Sequence, residues 1–134
     1  MTQTDSGSLL LLDTTVVIDV LRNRNQRRAW LEQLVLSGRV LATSAISIAE
    51  VYAGLRPGEE TATRRQLANL EWFPVSPSIA EEAGLRKAAQ GRIGRTHSLT
   101  DMIVAATAIE RGCALATDNQ KHFQIPGLVL FPLP

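Results

Sequence analysis

LLLLDTTVVIDVL, residues 9–21, is the stretch of sequence that decides the fold. Its first part, residues 9–12, is continuously apolar and ends at Asp13, which is typical of a strand buried on both faces of a parallel sheet. The apolar residues that follow Asp13 have helical spacing, and they predict a helix from Thr14 to Arg22. A buried strand that leads directly into a helix indicates the start of an α/β domain.

The same alternation of strand and helix continues along the chain. Further strands are predicted over residues 39–43, 72–75, 113–117 and 128–131. Helices are predicted between them, over residues 26–37, about 45–55, 59–70, 76–90 and 98–111. Because Pro74 has no backbone N–H, its strand is predicted at an edge of the sheet. This order predicts an α/β fold, with a mainly parallel sheet of about five strands flanked by helices.

The bulk composition limits the class of protein. The 134 residues are 45% hydrophobic and 20% charged, which fits one globular domain over residues 9–134, preceded by a flexible lead-in over residues 1–8. The lead-in lacks Lys and Arg, so it does not have the form of a secretory signal. No apolar run reaches the roughly 18 residues of a membrane helix. The single cysteine, Cys113, favours a reducing compartment, and we expect a cytoplasmic protein.

Two acids follow predicted strands. Asp13 comes after the first strand, and Asp118 comes after the strand over residues 113–117. In α/β folds, ligands bind beyond the carboxyl ends of the strands, so both acids are candidate site residues. Each also has a purely structural explanation, because Asp is favoured as a helix cap and in turns.

Two further acids lie on predicted helices. Glu50 interrupts an apolar helix, where it either faces solvent or is buried with a partner. Asp101 lies in the first turn of the helix that Ser98 opens, where the helix dipole stabilises a carboxylate. The same position would also hold the carboxylate rigidly, as a metal ligand requires. Oxygen ligands without a Cys or His cluster favour Mg²⁺, with Mn²⁺ as a substitute, over Zn²⁺. Such a site supports water attack on a phosphodiester.

Four segments of the chain resemble the motifs of the PIN-domain nucleases, and specifically those of the VapC-type toxins of bacterial toxin–antitoxin pairs. They are LLDTTVVID (residues 11–19), SIAEVYAG (47–54), HSLTDMIVAA (97–106) and ATDNQKHF (116–123). They occur in the family's order and span nearly the full chain. The resemblance implies a single PIN-like domain that cleaves RNA in the presence of Mg²⁺.

The resemblance also implies roles for particular residues. Asp13, Glu50 and Asp101 are expected to bind the metal. A fourth acidic position is expected after the strand over residues 113–117, where Asp118 is the acid and Asn119 is the alternative. Thr15 matches a position near the metal that usually carries a hydroxyl or amide. The implied partners are RNA, a second copy of the chain and an inhibitory VapB-type antitoxin, with DNA contacted only through the antitoxin.

Most of the other residues considered have two interpretations each. Arg92 and Arg95 lie in a predicted glycine-containing loop before Asp101, where they either contact RNA phosphates or are simply solvated. Asp19 is predicted to lie on a helix face and not to bind metal. Four apolar residues either belong to the core or line a groove for a partner helix: Trp30, Leu34, Tyr52 and Leu55.

Two alternative functions follow from the same residues. The first is a catalytically inactive PIN-like module that binds RNA or protein. The second is a Mg²⁺-dependent phosphatase of the kind that needs a second acid two residues after the nucleophilic Asp. Thr15 stands at that position, which disfavours the phosphatase.

Overall fold

The structure, a computed structural model, describes residues 9–94 and 97–134. The strands are β1 Leu9–Leu12, β2 Val40–Ser44, β3 Glu71–Phe73, β4 Ala114–Ala116 and β5 Leu130–Phe131. The helices are α1 Thr14–Leu21, α2 Arg27–Leu36, α3 Ala45–Ala53, α4 Glu60–Leu67, α5 Pro77–Arg92 and α6 Leu99–Arg111, and a short 3₁₀ helix spans Gln120–Phe123. The predicted lead-in, residues 1–8, and Arg95 lie outside the described residues.

The five strands form one sheet in the order β3-β2-β1-β4-β5. Each pair of neighbouring strands is parallel, and β1 lies at the centre with Leu10 beside Leu41 on one side and Ala114 on the other. This confirms the predicted α/β fold with a five-stranded parallel sheet. The chain builds β1, β2 and β3 in one direction and then returns to place β4 on the other side of β1. The carboxyl ends of β1 and β4 therefore form a topological switch point, where ligands bind in open α/β sheets.

Apolar layers cover both faces of the sheet. Leu11 and Leu115 point into one core cluster, which includes Met102 of α6. Leu10 and Leu12 point into the other, together with Val16 of α1. Because successive side chains of a strand point to opposite faces, a run of four leucines serves both layers at once.

Several element boundaries differ from the sequence prediction. β3 is residues 71–73, and it ends before Pro74, which lacks the N–H that would continue the ladder. Its place at the end of the strand order confirms the predicted edge position. The helix α5 continues to Arg92 through Gly91, so Arg92 lies on a helix end and not in the predicted loop. α4 ends at Leu67, three residues earlier than predicted.

Among the described residues, no helix combines the length and the apolar character needed to cross a membrane.

Candidate active site

Asp13 lies at the switch point, between β1 and α1. Its backbone N–H donates to Ala116 O of β4 at 3.0 Å, which ties the end of β1 to its neighbour. The side chain is 6% exposed. One carboxylate oxygen accepts from the Thr14 N–H at 2.8 Å and caps α1, and the other accepts from Thr117 Oγ1 at 2.8 Å. The carboxylate is thus held from both sides, while its remaining lone pairs are available to a cation.

The pKa of Asp13 depends on its burial, on its hydrogen bonds and on the charges of Glu50 and Asp101. Burial is the largest influence and raises the pKa of Asp13 above its ordinary value. The hydrogen bonds from Thr117 and Thr14 lower the pKa, and the negative charges of Asp101 and Glu50 raise it again. Glu50 and Asp101 are thus two charges that oppose the ionisation of Asp13, although both are distant from it in sequence.

Glu50 is exposed on α3 and joins the site through Thr14. Thr14 Oγ1 lies 2.8 Å from Glu50 Oε1 and 2.9 Å from Ser47 Oγ. The hydroxyl has one proton, so it donates to one of these oxygens at a time. The preceding strand places the helix, because Ser44 caps α3 by accepting from the Ile46 N–H at 3.2 Å. Contact with Thr14 fixes the direction of an otherwise solvent-facing carboxylate.

Asp101 is held by the start of α6. Ser98 is the N-cap of this helix, and its Oγ accepts from the Asp101 N–H at 3.0 Å. The carboxylate therefore lies in the first helical turn, where the positive end of the helix dipole stabilises a negative charge. This agrees with the Ser98-to-Asp101 spacing in the sequence.

Asp118 and Asn119 have partners outside the group formed by Asp13, Glu50 and Asp101. Asp118 is paired with Arg27, a buried residue at the start of α2, and the side chain of Asp118 is 44% exposed. The Asn119 N–H donates to Thr117 Oγ1 at 3.0 Å, and its side-chain amide lies 3.4 Å from His122 Nδ1. Sequence reasoning did not connect Arg27 with Asp118, because 91 positions separate them.

The structure places one expected supporting residue and adds one that the sequence did not indicate. Thr15 is exposed, and the hydroxyl that contacts Glu50 belongs to Thr14. Thr117, which orients Asp13, was not singled out from the sequence. Its signal was its place at the end of a buried strand, next to the acid that drew attention. Arg92 is exposed at the end of α5.

The donor set fits Mg²⁺ or Mn²⁺. Within residues 9–94 and 97–134, no three acidic, histidine or cysteine side chains converge closely enough to enclose an ion. Mg²⁺ suits an open cluster of this kind, because it binds through one or two carboxylates and retains several waters. Repulsion among three carboxylates around buried Asp13 is relieved by a divalent cation. Cys113 offers no thiolate ligand, because burial raises the pKa of its thiol to about 11.

A separate cleft lies between α1, α3 and α4. It has a volume of about 330 Å³, and its apolar lining includes Ile18, Leu21, Val51 and Leu55. A charged pair, Arg22 with Glu59 at 3.4 Å, lies at the cleft. Of the four residues suggested for a groove, Leu55 lines this cleft, whereas the other three pack against the core: Trp30, Leu34 and Tyr52.

Comparison with known proteins gives a consistent result. The PIN domain family model matches residues 10–128. Ribonuclease VapC10 of Mycobacterium tuberculosis is 35% identical over 115 residues, 86% of each protein. Ribonuclease VapC19 of the same species is 31% identical over 113 residues, 84% of this chain and 90% of the relative.

Solved structures show the same fold. A toxin–antitoxin complex from Klebsiella pneumoniae has a chain 31% identical with a TM-score of 0.71, which covers 90% of this chain and 95% of that one. VapBC2 from Rickettsia felis, bound to a promoter DNA fragment, has a chain 24% identical with a TM-score of 0.79, covering 92% and 97%. The second likeness shows the fold alone.

Proposed function

The chain belongs to the PIN-domain family, among relatives named VapC ribonucleases, and on that premise we propose that it is a Mg²⁺-dependent endoribonuclease, the toxin of a toxin–antitoxin pair. The observation that carries the proposal is the hydrogen-bond cluster at the switch point, where the Thr14 N–H donates to buried Asp13 and the Thr14 hydroxyl lies 2.8 Å from Glu50 Oε1. The charges of Glu50 and Asp101 both raise the pKa of Asp13, so acids from distant parts of the sequence act on this one carboxylate. Their oxygen-only chemistry suits a divalent cation.

The residues of the pocket have distinct roles in this proposal. Asp13, Glu50 and Asp101 hold the hydrated cation, one or two of them directly and the rest through its bound waters. Thr117 and Thr14 hold two of these carboxylates in place through their hydroxyl groups. A Mg²⁺ ion held by these residues would supply activation of a water molecule and stabilisation of negative charge for the hydrolysis of a phosphodiester. The water-exposed side of Glu50 leaves room for a phosphate group of RNA.

The fourth position of the pocket lies in the turn after β4. Asp118 is the acid of this turn, and Asn119 is the alternative side chain. In the turn, Asp118 is paired with Arg27, and the side-chain amide of Asn119 lies 3.4 Å from His122 Nδ1. Arg92 and Arg95 are the proposed RNA phosphate contacts, since they precede Asp101 in sequence and phosphate contacts position RNA without reading its sequence.

The cleft between α1, α3 and α4 is the proposed site for a helix of a VapB-type antitoxin. An apolar floor with a charged rim fits an amphipathic helix, which binds its apolar face into such a groove. One solved relative, the toxin–antitoxin complex from Klebsiella pneumoniae, supports a protein partner. DNA is contacted through the antitoxin, and the toxin acts on RNA in the cytoplasm.

A homodimer is proposed on the exposed apolar residues around α5. Leu85 is 61% exposed and Ile93 is 66% exposed. With Ala89 they follow the i, i+4, i+8 spacing that lines one helix face. Leu99, at the start of α6, is also exposed. Exposed apolar patches of this kind mark contact surfaces between proteins.

Induced expression in a bacterial host tests the toxin role. We expect the wild-type chain to stop growth and to leave RNA cut at defined ends, which sequencing of 5′ ends maps. Asp13→Asn should allow normal growth at the same protein level, and co-expression of the protein encoded beside this chain should restore growth. If Asp13→Asn stops growth as the wild type does, the chain acts as a binding module and not as a nuclease.

A further inference from the structure

We infer that Arg27 is a positioning residue for the acidic pocket: by holding Asp118, it fixes the turn from which Thr117 orients Asp13. The inference rests on the proposed function, because it concerns the affinity of that pocket for a divalent cation. Arg27 itself contacts none of the three acids in the hydrogen bonds and ion pairs of the described residues.

The location of Arg27 is unfavourable unless its partners compensate. It is the first residue of α2, where the helix dipole disfavours a positive charge, and it is only 4% exposed. Buried arginines are rare without paired acids. Arg27 has two such partners, since Nη2 is bonded to Asp118 Oδ1 and Nε lies 3.7 Å from Asp19 Oδ2. The guanidinium thereby joins α1, α2 and the turn after β4.

The segment that leads into Arg27 is conformationally strained. Asn23, Asn25 and Gln26 have φ angles of 52°, 53° and 56°. This left-handed region costs a side-chain-bearing residue roughly 1–2 kcal/mol, although Asn tolerates it better. Strained backbone persists where surrounding contacts impose it, and it clusters at functional sites.

Local hydrogen bonds hold the strained segment in place. Asn25 Nδ2 donates to Asp19 Oδ2 at 3.1 Å. The guanidinium of Arg28 donates to Val20 O at 2.8 Å and to Leu21 O at 2.7 Å. These contacts fix the junction of α1 and α2, so that Arg27 is delivered to a defined point on the opposite turn.

Two hydrogen bonds link the turn that contains Asp118 to Asp13 in the pocket. Asp118 lies between Thr117 and Asn119, and the Asn119 N–H donates to Thr117 Oγ1 at 3.0 Å. Thr117 Oγ1 in turn donates to Asp13 Oδ2 at 2.8 Å. The pair with Arg27 ties the middle of an exposed turn to a buried side chain. Partners that orient a ligand in this way affect metal affinity by about 10–100-fold in other metal sites.

Two other possible effects of Arg27 would change the affinity of the pocket for a cation in the opposite direction. If the guanidinium acted only as a nearby positive charge, its removal would strengthen cation binding. If Asp118 were itself a metal ligand held back by Arg27, its release would also strengthen binding. A positioning role predicts weaker binding when Arg27 is removed, which neither alternative predicts.

Mn²⁺ binding to the purified full chain without RNA, measured by titration calorimetry, separates these effects. Arg27→Gln and Asp118→Asn should each raise the Kd for Mn²⁺ about tenfold. The double variant should bind Mn²⁺ no more weakly than the single variant with the higher Kd, because each change breaks the same Arg27–Asp118 contact. The matched control is Arg24→Gln, which removes a neighbouring, exposed guanidinium that takes no part in the proposed anchoring and should leave the Kd unchanged.

The possible results separate the two proposals. If the wild type fails to bind Mn²⁺, the proposed function is wrong. If the wild type binds and Arg27→Gln leaves the Kd unchanged or lowers it, only the positioning role is wrong. Should Arg27→Gln fail to fold, a cycle of Asp118→Asn with Thr117→Val decides the matter. Non-additive losses support the inference, and additive losses or a wild-type Kd for Asp118→Asn overturn it.

Discussion

Both carboxylate oxygens of Asp13 accept hydrogen bonds, yet burial and two neighbouring acids raise its pKa. Hydrogen bonds to the charged form do not by themselves offset the loss of hydration and the repulsion from Glu50 and Asp101. A divalent cation supplies the missing positive charge. The electrostatics of this single residue therefore explain why the pocket is suited to a metal.

Thr117→Val tests how far one hydroxyl orients Asp13. Valine keeps the shape of the buried side chain but cannot donate to Asp13 Oδ2. We expect the Mg²⁺ concentration for half-maximal RNA cleavage to rise about tenfold. The free energy of unfolding should fall by about 1–3 kcal/mol, because the Asn119 N–H loses its acceptor. Cleavage assays over a Mg²⁺ series and urea unfolding measure the two effects.

The control is Thr107→Val, which removes another fully buried threonine hydroxyl. Thr107 Oγ1 donates to Ile103 O at 2.7 Å within α6, and within the described part of the chain it makes no hydrogen bond with the acids of the pocket. This variant should keep the wild-type Mg²⁺ requirement. An equal shift of the Mg²⁺ requirement in both variants would show that Thr117 has no special relation to Asp13.

At the scale of elements, capped helices carry two of the acids to the same edge of the sheet. Ser44 caps α3, which bears Glu50, and Ser98 caps α6, which bears Asp101. A cap fixes where a helix begins, and so it fixes the direction of side chains in the first turns. The pocket therefore depends on helix starts as well as on strand ends.

Ser98→Ala and Ser76→Ala should have similar effects on stability but different effects on RNA cleavage. Both serines are N-caps, of α6 and α5, and each Oγ accepts a backbone N–H, from Asp101 at 3.0 Å and from Ile79 at 3.2 Å. Each substitution should lower the free energy of unfolding by about 1 kcal/mol. Only Ser98→Ala should slow RNA cleavage, because the first turn of α6 carries Asp101 of the pocket, whereas α5 carries none of its acids. Equal slowing in both variants would contradict a specific role for the α6 cap.

The order of elements was predictable from the sequence, but several boundaries were not. Residues 9–12 and 113–117 were recognisable as buried strands by their apolar runs, and Pro74 marked the edge strand. The continuation of α5 through Gly91 was not predictable, because glycine lowers helix propensity and tertiary packing decides whether the helix continues. The Ser98 cap was visible locally, since its partner is three residues away.

At the scale of the whole molecule, topology brings the pocket together. The order β3-β2-β1-β4-β5 places the ends of β1 and β4 side by side, so that Asp13 meets Thr117 across 104 positions of sequence. Neither this contact nor that of Arg27 with Asp118 could be derived from local patterns, because both depend on which strands become neighbours. The motifs indicated which acids matter, whereas their hydrogen-bond partners required the fold.

The proposed dimer is testable on the same scale. Leu85→Asp places a charge on the exposed face of α5, where burial against a second copy would be costly. We expect light scattering after size exclusion to give twice the chain mass for the wild type and the single chain mass for Leu85→Asp. The control is Val129→Asp, at a residue that is 64% exposed outside α5, and it should remain dimeric. A Leu85→Asp protein that stays dimeric would exclude this face as the interface.

RNA cleavage by the wild type and by Asp101→Asn, with Mg²⁺ and with EDTA, tests the central claim most directly. Asp101→Asn keeps the Ser98 cap and the size of the side chain, and Glu110→Gln on the same helix serves as the control. The three-acid pocket predicts cleavage by the wild type and by Glu110→Gln only with Mg²⁺, and a loss of about 100-fold or more in folded Asp101→Asn. Equal cleavage in EDTA, or wild-type cleavage by folded Asp101→Asn, would contradict it.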